Sequence, residues 1–200
     1  MSARRAACAG TLLALLASVG LAAWLMPSGW SAAAPAPPLS MAVSALDGSL
    51  LVVRDGLFRS SDHGARWSAL PVPAGLQPDK IRLVATTTAA PASLYVAGAG
   101  AGVARSDDNG RTWRSISAGL PSQEVAALAL HSFRPDTIYV WIPRRGVFRT
   151  EDSGRRWQKM DDGPPASLVA LAHSPLKGSM NTGWLYAATA EGPYLSMDCF

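Results

Sequence analysis

One short motif recurs along the chain and limits its fold more than any other feature. The motif reads Ser/Thr-x-Asp-x-Gly-x-Thr/Arg-Trp and occupies residues 60–67, 106–113 and 150–157, which we call the box turns. A fourth copy begins at Ser196 and reaches Asp198. The glycines that precede the four copies are 46, 44 and 46 residues apart. A period of this length is typical of small antiparallel sheets that stack as repeats.

The residue types of the motif suit a tight turn between two strands. The carboxylate can accept bonds from backbone N–H groups of the turn, and the hydroxyl can bond to that carboxylate. The glycine can take a positive φ, and the tryptophan can cover the turn. Since the same residues recur in every unit, we expect them to serve the repeat and not catalysis or calcium binding. These predicted structural residues are Ser60, Asp62, Gly64, Trp67, Ser106, Asp108, Gly110, Trp113, Thr150, Asp152, Gly154, Trp157, Ser196 and Asp198.

Two β-rich runs precede each motif, and a short segment after each complete motif can form another strand. Connections rich in glycine and proline separate the units. The sequence therefore predicts an all-β chain of about four four-stranded units, of which the last is incomplete. The predicted units span residues 41–78, 79–122, 123–165 and 166–200.

The motif resembles the Asp-box of the BNR-repeat superfamily, which includes sialidases, sortilin-type receptors and photosystem II assembly-factor-like proteins. The resemblance covers nearly all of the chain after residue 40, and it implies a β-propeller. Propellers usually have four to eight blades. Three full units and a partial fourth can close as a small ring, pair with a second copy or another subunit, or represent a truncated relative of a longer protein.

The first 33 residues read as a secretory signal or an N-terminal membrane anchor. Arg4 and Arg5 precede an apolar run over residues 6–26, and small residues follow it. This pattern is typical of a signal peptide, whereas the length of the run also suits a single membrane-spanning helix. Residues 34–40 form a Pro/Ala linker. We therefore expect an exported protein, periplasmic or extracellular, which is either released or anchored through residues 6–26.

Charge and cysteine content exclude several classes of partner and site. Beyond the leader, 16 Lys and Arg residues stand against 14 Asp and Glu residues, so nucleic acid is not an expected partner. Cys8 lies in the leader, and a processed chain keeps only Cys199, so no internal disulfide can form. His131 and His173 occupy matching sequence places, and we interpret them as repeat-derived loop residues. No metal or other cofactor is predicted.

The turns between the second and third strands of each unit lie on the rim opposite the box turns. The family resemblance implies that propellers bind their ligands on this opposite rim, near the axis. An arginine pair with a nearby tryptophan could grip a carboxylate or an acidic protein segment. The alternative is a solvated turn that pairs with nearby acids. The candidate binding residues are Arg54, Asp55, Trp141, Arg144, Arg145 and Glu191.

Two hypotheses from different functional classes follow. The first is a non-catalytic propeller that acts as a protein-binding, scaffold or assembly module, with another protein or a second copy as its partner. The second is a sialidase-like glycoside hydrolase, or a truncated relative of one, for which a carbohydrate would be the ligand. A hydrolase needs an acid/base carboxylate and a nucleophile. Tyr186 and Glu191 could form a Tyr–Glu pair, but no three convergent arginines accompany them, so the first hypothesis is favoured.

Overall fold

The chain folds as four antiparallel sheets that follow one another in sequence. The structure is a computed structural model that describes residues 39–45, 47–87, 93–164, 167–176 and 183–196. Each of the first three sheets has four strands in sequential order, and the fourth has three described strands. We call these sheets blades 1 to 4. Within the described residues the helical structure consists of one 3₁₀ turn at Pro78–Lys80.

The strands carry the numbers β1 to β15 in chain order. Blade 1 contains β1 (Ser40–Val43), β2 (Leu50–Val53), β3 (Leu57–Ser60) and β4 (Ser68–Ala69). Blade 2 contains β5 (Leu83–Thr86), β6 (Leu94–Gly98), β7 (Gly102–Ser106) and β8 (Arg114–Ser115). Blade 3 contains β9 (Ala127–Leu130), β10 (Ile138–Ile142), β11 (Gly146–Thr150) and β12 (Gln158–Asp161). Blade 4 contains β13 (Leu168–Ser174), β14 (Trp184–Thr189) and β15 (Gly192–Ser196).

The apolar runs of the sequence become the central strands of each blade. Every residue of β6 and β10 is buried, because both faces of these strands are covered by neighbouring sheets. The outer strands β4 and β8 are two residues long and exposed. The all-β, four-blade, propeller-like arrangement expected from the repeat is confirmed.

The hydrophobic core lies between blades and not within them. One cluster joins Leu51 and Val53 of blade 1 to Val84 and Val96 of blade 2. A second joins blade 2 to blade 3, and a third joins blade 3 to blade 4. A single blade cannot bury its two faces alone, so stability comes from stacking each blade on the next.

Several predicted segments lie outside the described residues. They are the leader over residues 1–33, most of the linker over 34–40, and Asp198 in the fourth motif. In the part of the chain that is described, no helix is both long enough and apolar enough to cross a membrane.

Candidate functional site

The three complete box turns share one hydrogen-bond network. Ser60 Oγ donates to Asp62 Oδ1 at 2.8 Å, and the Gly64 N–H donates back to Ser60 Oγ at 2.8 Å. The Arg66 N–H donates to the same carboxylate at 2.8 Å. The equivalent bonds in the other two turns measure between 2.8 and 2.9 Å. The hydroxyl and carboxylate thus satisfy backbone N–H groups that the turn would leave without partners.

Each box turn contains two successive residues with positive φ, of which the sequence predicted only the glycine. The residue before the glycine is His63, Asn109 or Ser153, with φ of 58°, 66° and 59°. Asparagine tolerates this conformation better than most residues, but histidine and serine carry no strong signal for it. The carboxylate network compensates for this backbone strain in each turn.

The tryptophan of a box turn binds the blade before it. Trp113 Nε1 donates to the Pro71 carbonyl at 2.8 Å, and Trp157 Nε1 donates to the Ile116 carbonyl at 2.7 Å. Ile116 also packs over the turn glycine of blade 3, since a Cβ built on Gly154 would lie 2.6 Å from the Ile116 Cβ. The box turn is therefore a clamp between consecutive blades as well as a local turn.

An arginine at a fixed place in each of the first three blades also supports the box-turn rim. Arg59 donates to the Asn109 side chain of the next blade. Arg105 pairs with Asp107 at 2.6 Å and approaches Asp136 of blade 3 at 3.8 Å. The sequence interpretation missed these contacts, although Arg59, Arg105 and Arg149 align in the repeat. That recurrence is the signal that could have identified them.

The box carboxylates are held in their ionised form. Hydrogen bonds from the Thr112 side chain and backbone lower the pKa of Asp108 to about 2. The backbone N–H of Arg66 lowers the pKa of Asp62, and that of Arg156 lowers the pKa of Asp152. Each carboxylate serves chiefly as a hydrogen-bond acceptor within its own turn.

On the opposite rim, the turns between the second and third strands present a different residue in each blade. Asp55, Arg145 and Glu191 take equivalent positions immediately before the leading glycines, and all three are exposed. Arg144 is exposed beside Arg145 and has a φ of 63°. The Arg145 N–H donates to the Ile142 carbonyl at 3.0 Å, which closes the turn.

Two of the candidate binding residues make their contacts within the protein. Trp141 is buried between blades 3 and 4, so its ring does not accompany the arginine pair at the surface. The guanidinium carbon of Arg54 lies 5.6 Å from the ring centre of Trp67, in a cation–π contact. Among the candidate residues, Arg144 and Arg145 therefore remain as the exposed cations, and Asp55 and Glu191 lie on other blades.

His131 and His173 stack on each other, with ring centres 3.9 Å apart. The Nδ1 atoms accept backbone N–H groups, from Phe133 to His131 and from Ser132 to His173. Their expected equivalence is wrong: a bulge between Leu168 and Ala170 shifts β13 by one residue. Among the described residues, no three His, Cys, Asp or Glu side chains converge as a metal site.

A cavity of about 360 Å³ lies between the inner strands β1, β5, β9 and β13. His131, Ser132 and His173 line one part of it, and the rest is lined mainly by apolar inner-strand residues. Its position, between the first strands of all four blades, corresponds to the axis of the blade array. The volume falls within the range of small-ligand pockets.

Comparison with solved structures identifies the architecture. The xyloglucanase of the GH74 group from Xanthomonas campestris matches with a TM-score of 0.62 and 20% identity, over 81% of this chain and 29% of that chain. YCF48 bound to D1 peptide matches with a TM-score of 0.53 and 16% identity, over 80% of this chain and 48% of that one. PorZ, a surface component of the type-IX secretion system of Porphyromonas gingivalis, matches with a TM-score of 0.52 and 14% identity, over 80% and 19%.

The fold is that of a β-propeller. The chain spans less than half the length of each of these three propeller chains. At such low identity, the likeness shows the fold alone. No protein-family model matches the chain, and no curated protein matches it.

Proposed function

We propose that this chain is an exported, non-catalytic propeller that binds an acidic segment of another protein. The binding site in this proposal is the β10–β11 turn, with Arg144 and Arg145 as the contacting residues. The leader sequence over residues 1–33 supports export. The partner's own carboxylates would be the recognised groups, because a guanidinium can bind a carboxylate through two parallel hydrogen bonds.

The observation that carries the proposal is a pair of uncommitted arginines on a rigid hairpin. Both side chains are exposed, and within the described residues the ion pairs use other cations. The strand that leads into the turn is buried along its whole length. A site on such a strand pair is held in place before binding, so little order must be gained on binding.

The contrast between constant and variable positions of the repeat supports the same site. The box turns keep the same residues in every blade, as expected for parts that hold each blade in place. The positions before the leading glycines differ in charge from blade to blade, with Asp55, Ala101, Arg145 and Glu191 in turn. A position that varies among structurally equivalent turns is free to serve one specific contact.

The similar propellers offer precedents for both functional classes. YCF48 is bound to a D1 peptide in its structure, which supports a peptide or protein partner for a propeller of this kind. The xyloglucanase is a glycoside hydrolase, which is a precedent for the enzyme alternative. A glycoside hydrolase uses a general acid whose pKa is raised. Among the described residues, every carboxyl whose pKa departs clearly from its ordinary value has a lowered pKa. Examples are Asp47, Asp107 and Asp162.

Affinity capture with matched variants tests the proposal. The tagged protein would be exported by the cells that express it, and the exported or envelope proteins retained on it would be quantified by mass spectrometry. We expect Arg144→Glu/Arg145→Glu to lose the specific partner, because the charge of the site is reversed. Arg66→Glu/Arg111→Glu places the same two charge reversals in box turns on the opposite rim and should retain the partner. Equal capture of the partner by the arginine-pair variant and the box-turn control would show that Arg144 and Arg145 do not form the binding site.

The same preparations test the enzyme alternative. They would be incubated with fluorogenic sialosides, other aryl glycosides and xyloglucan, and released product would be measured. We expect no turnover above that of a heat-denatured control. Turnover that copurifies with the chain and falls in Tyr186→Phe or Glu191→Gln would replace the binding function with a hydrolase.

A further inference from the structure

The β10–β11 turn, which carries the arginine pair, has the pattern of a type II turn. The Arg145 N–H donates to the Ile142 carbonyl at 3.0 Å, and the two residues between them are Pro143 and Arg144. Proline suits the first of these places because its ring fixes φ at about −65°. The second place requires a positive φ, which favours glycine. Arg144 occupies this second place, with a φ of 63°.

Blade 2 has the same turn with a glycine at that place. The Ala101 N–H donates to the Gly98 carbonyl at 3.1 Å, and Gly100 between them has a φ of 74°. The two turns join their strands at equivalent pairs of residues, so Gly100 is the equivalent of Arg144. The same backbone is therefore built without a side chain in blade 2 and with a long cationic side chain in blade 3.

The side chain of Arg144 makes no contact that offsets this strained backbone. In the left-handed region a Cβ lies too close to the following carbonyl oxygen, which costs free energy. The other described non-glycine residues with positive φ are His63, Asn109 and Ser153, which all lie in box turns with their carboxylate networks. Arg144 is exposed, and among the described residues its side chain forms no hydrogen bond or ion pair. Strained residues cluster at binding and catalytic sites.

We propose that Arg144 is the specificity-determining residue of the site, and that its strained place in the turn holds its guanidinium for a carboxylate of the partner. This inference rests on the proposed function and assigns different roles to the two arginines. Arg145 has no positive φ, and its equivalent in blade 2 is Ala101, so its place tolerates other residues. Arg145 adds positive charge, whereas the planar fork of Arg144 selects a carboxylate by its geometry.

The stability of two glycine variants tests the strain. Arg144→Gly removes the strained Cβ, and Arg145→Gly makes the same substitution where φ is not positive. The freedom that glycine adds to the unfolded chain affects both variants alike. In urea unfolding followed by circular dichroism, we expect an unfolding equilibrium constant about 5- to 30-fold larger for Arg145→Gly than for Arg144→Gly. Equal constants, or a less stable Arg144→Gly protein, would overturn the inference.

Binding of a defined acidic peptide tests the role of each arginine. The probe is a fluorescein-labelled oligoglutamate peptide, with an oligoglutamine peptide of the same length as the uncharged control. Fluorescence anisotropy would measure its binding to the purified full chain. Arg144→Lys and Arg145→Lys both keep the charge, but lysine lacks the planar fork. We expect Arg144→Lys to weaken binding about tenfold, as one lost charge-assisted hydrogen bond does, and Arg145→Lys to weaken it much less.

The Arg144→Gly variant combines the two measurements. We expect it to lose affinity for oligoglutamate while it gains stability relative to Arg145→Gly. A residue with a purely structural role would not show this opposition, because its removal would lower stability and affinity together. Wild-type affinity in the Arg144→Gly protein would overturn the inference.

The outcomes also distinguish a failure of this inference from a failure of the proposed function. If the wild-type protein binds oligoglutamate no better than oligoglutamine, or if Arg144→Glu/Arg145→Glu binds as tightly as the wild type, the proposed function is refuted and the inference with it. If the double variant loses binding but Arg145→Lys weakens it as much as Arg144→Lys does, the proposed function stands and the inference alone is refuted.

Discussion

The indole Nε1 of Trp157 donates to the Ile116 carbonyl at 2.7 Å and so connects the box turn of blade 3 to the outer edge of blade 2. Trp113 makes the equivalent bond to Pro71 between blades 1 and 2. This contact gives the motif tryptophan a role between blades. It explains why a residue on a surface turn recurs with an indole N–H and not merely with an apolar ring.

Replacing this indole with a phenyl ring should weaken the contact between blades 2 and 3. We expect Trp157→Phe to lower the free energy of unfolding by about 1 kcal/mol from the lost hydrogen bond, with some further loss of packing. Trp67→Phe is the matched control, because Trp67 contacts Arg54 of its own blade through its ring. Urea unfolding followed by circular dichroism would measure both. A larger loss for Trp67→Phe would contradict the clamp.

Alanine substitutions at two box-turn glycines should distinguish the free-energy cost of backbone strain from the cost of a steric clash between blades. Gly64 and Gly154 have φ of 91° and 86°, so a Cβ is strained at both by about 1–2 kcal/mol. At Gly64 the nearest atoms to an added Cβ are 3.7 Å away, whereas at Gly154 the Ile116 Cβ is 2.6 Å away. We expect Gly154→Ala to cost a further 1–3 kcal/mol, roughly, from overpacking. Denaturant unfolding would measure the free energy of unfolding of both variants. Equal losses would contradict the prediction, because Ile116 would then move without cost to accept the added methyl group.

Stability should fall in strong acid because two aspartates titrate far below their ordinary range. A hydrogen bond from Ser49 lowers the pKa of Asp47 to about 2, and Thr112 does the same for Asp108. Since the pKa is lower in the folded state, the unfolded state binds more protons in this interval. The stabilisation is fully present above about pH 4 and is lost as the pH falls toward 2.

Urea unfolding at a series of pH values would measure this loss. Asp108→Asn should show a smaller decrease between pH 4 and 2 than the wild-type protein, because one of the aspartates with a lowered pKa is absent. The variant should also be less stable at pH 7, where the carboxylate normally accepts its four bonds. A wild-type midpoint that does not change over this interval would contradict the lowered pKa values.

The histidine stack should contribute to the contact between blades 3 and 4. His173 Nδ1 accepts the Ser132 N–H at 3.1 Å, so His173→Phe keeps a flat ring but removes the acceptor. An N–H that loses its partner in a partly buried site costs about 1–3 kcal/mol. Leu176→Phe, on an exposed loop, should leave thermal unfolding unchanged.

Much of the fold follows from the sequence because the repeat is explicit. The glycine spacing and the Ser–Asp–Gly–Trp pattern predict four similar sheets, and the apolar runs predict the central strands. The contacts between blades were harder to predict, because they depend on residues such as Ile116 and Asp136 that are distant in sequence from the motif. The bulge in β13 was not predictable, since Val169 and Ala170 give no local signal for an extra residue.

The candidate site was only partly predictable. Arg144 and Arg145 lie on an exposed turn, as the strand order required. Trp141 is the exception, because the alternation of side chains along β10 places it on the face that packs on blade 4. It is close to Arg144 in sequence, but it does not lie beside the arginine pair at the surface. A sequence shows which residues adjoin a turn, but the stacking of blades decides which of them face solvent.

The central claim is that the recurring box residues maintain the fold, whereas the arginine pair on the opposite rim binds the partner. Partner capture per folded molecule, quantified for Asp152→Asn and for Arg144→Glu/Arg145→Glu at a temperature where both are folded, tests it most directly. We predict that Asp152→Asn loses thermal stability but captures the wild-type amount of partner, and that the arginine variant keeps its stability but captures none. Loss of capture in the folded Asp152→Asn protein, with retention in the arginine variant, would contradict the account.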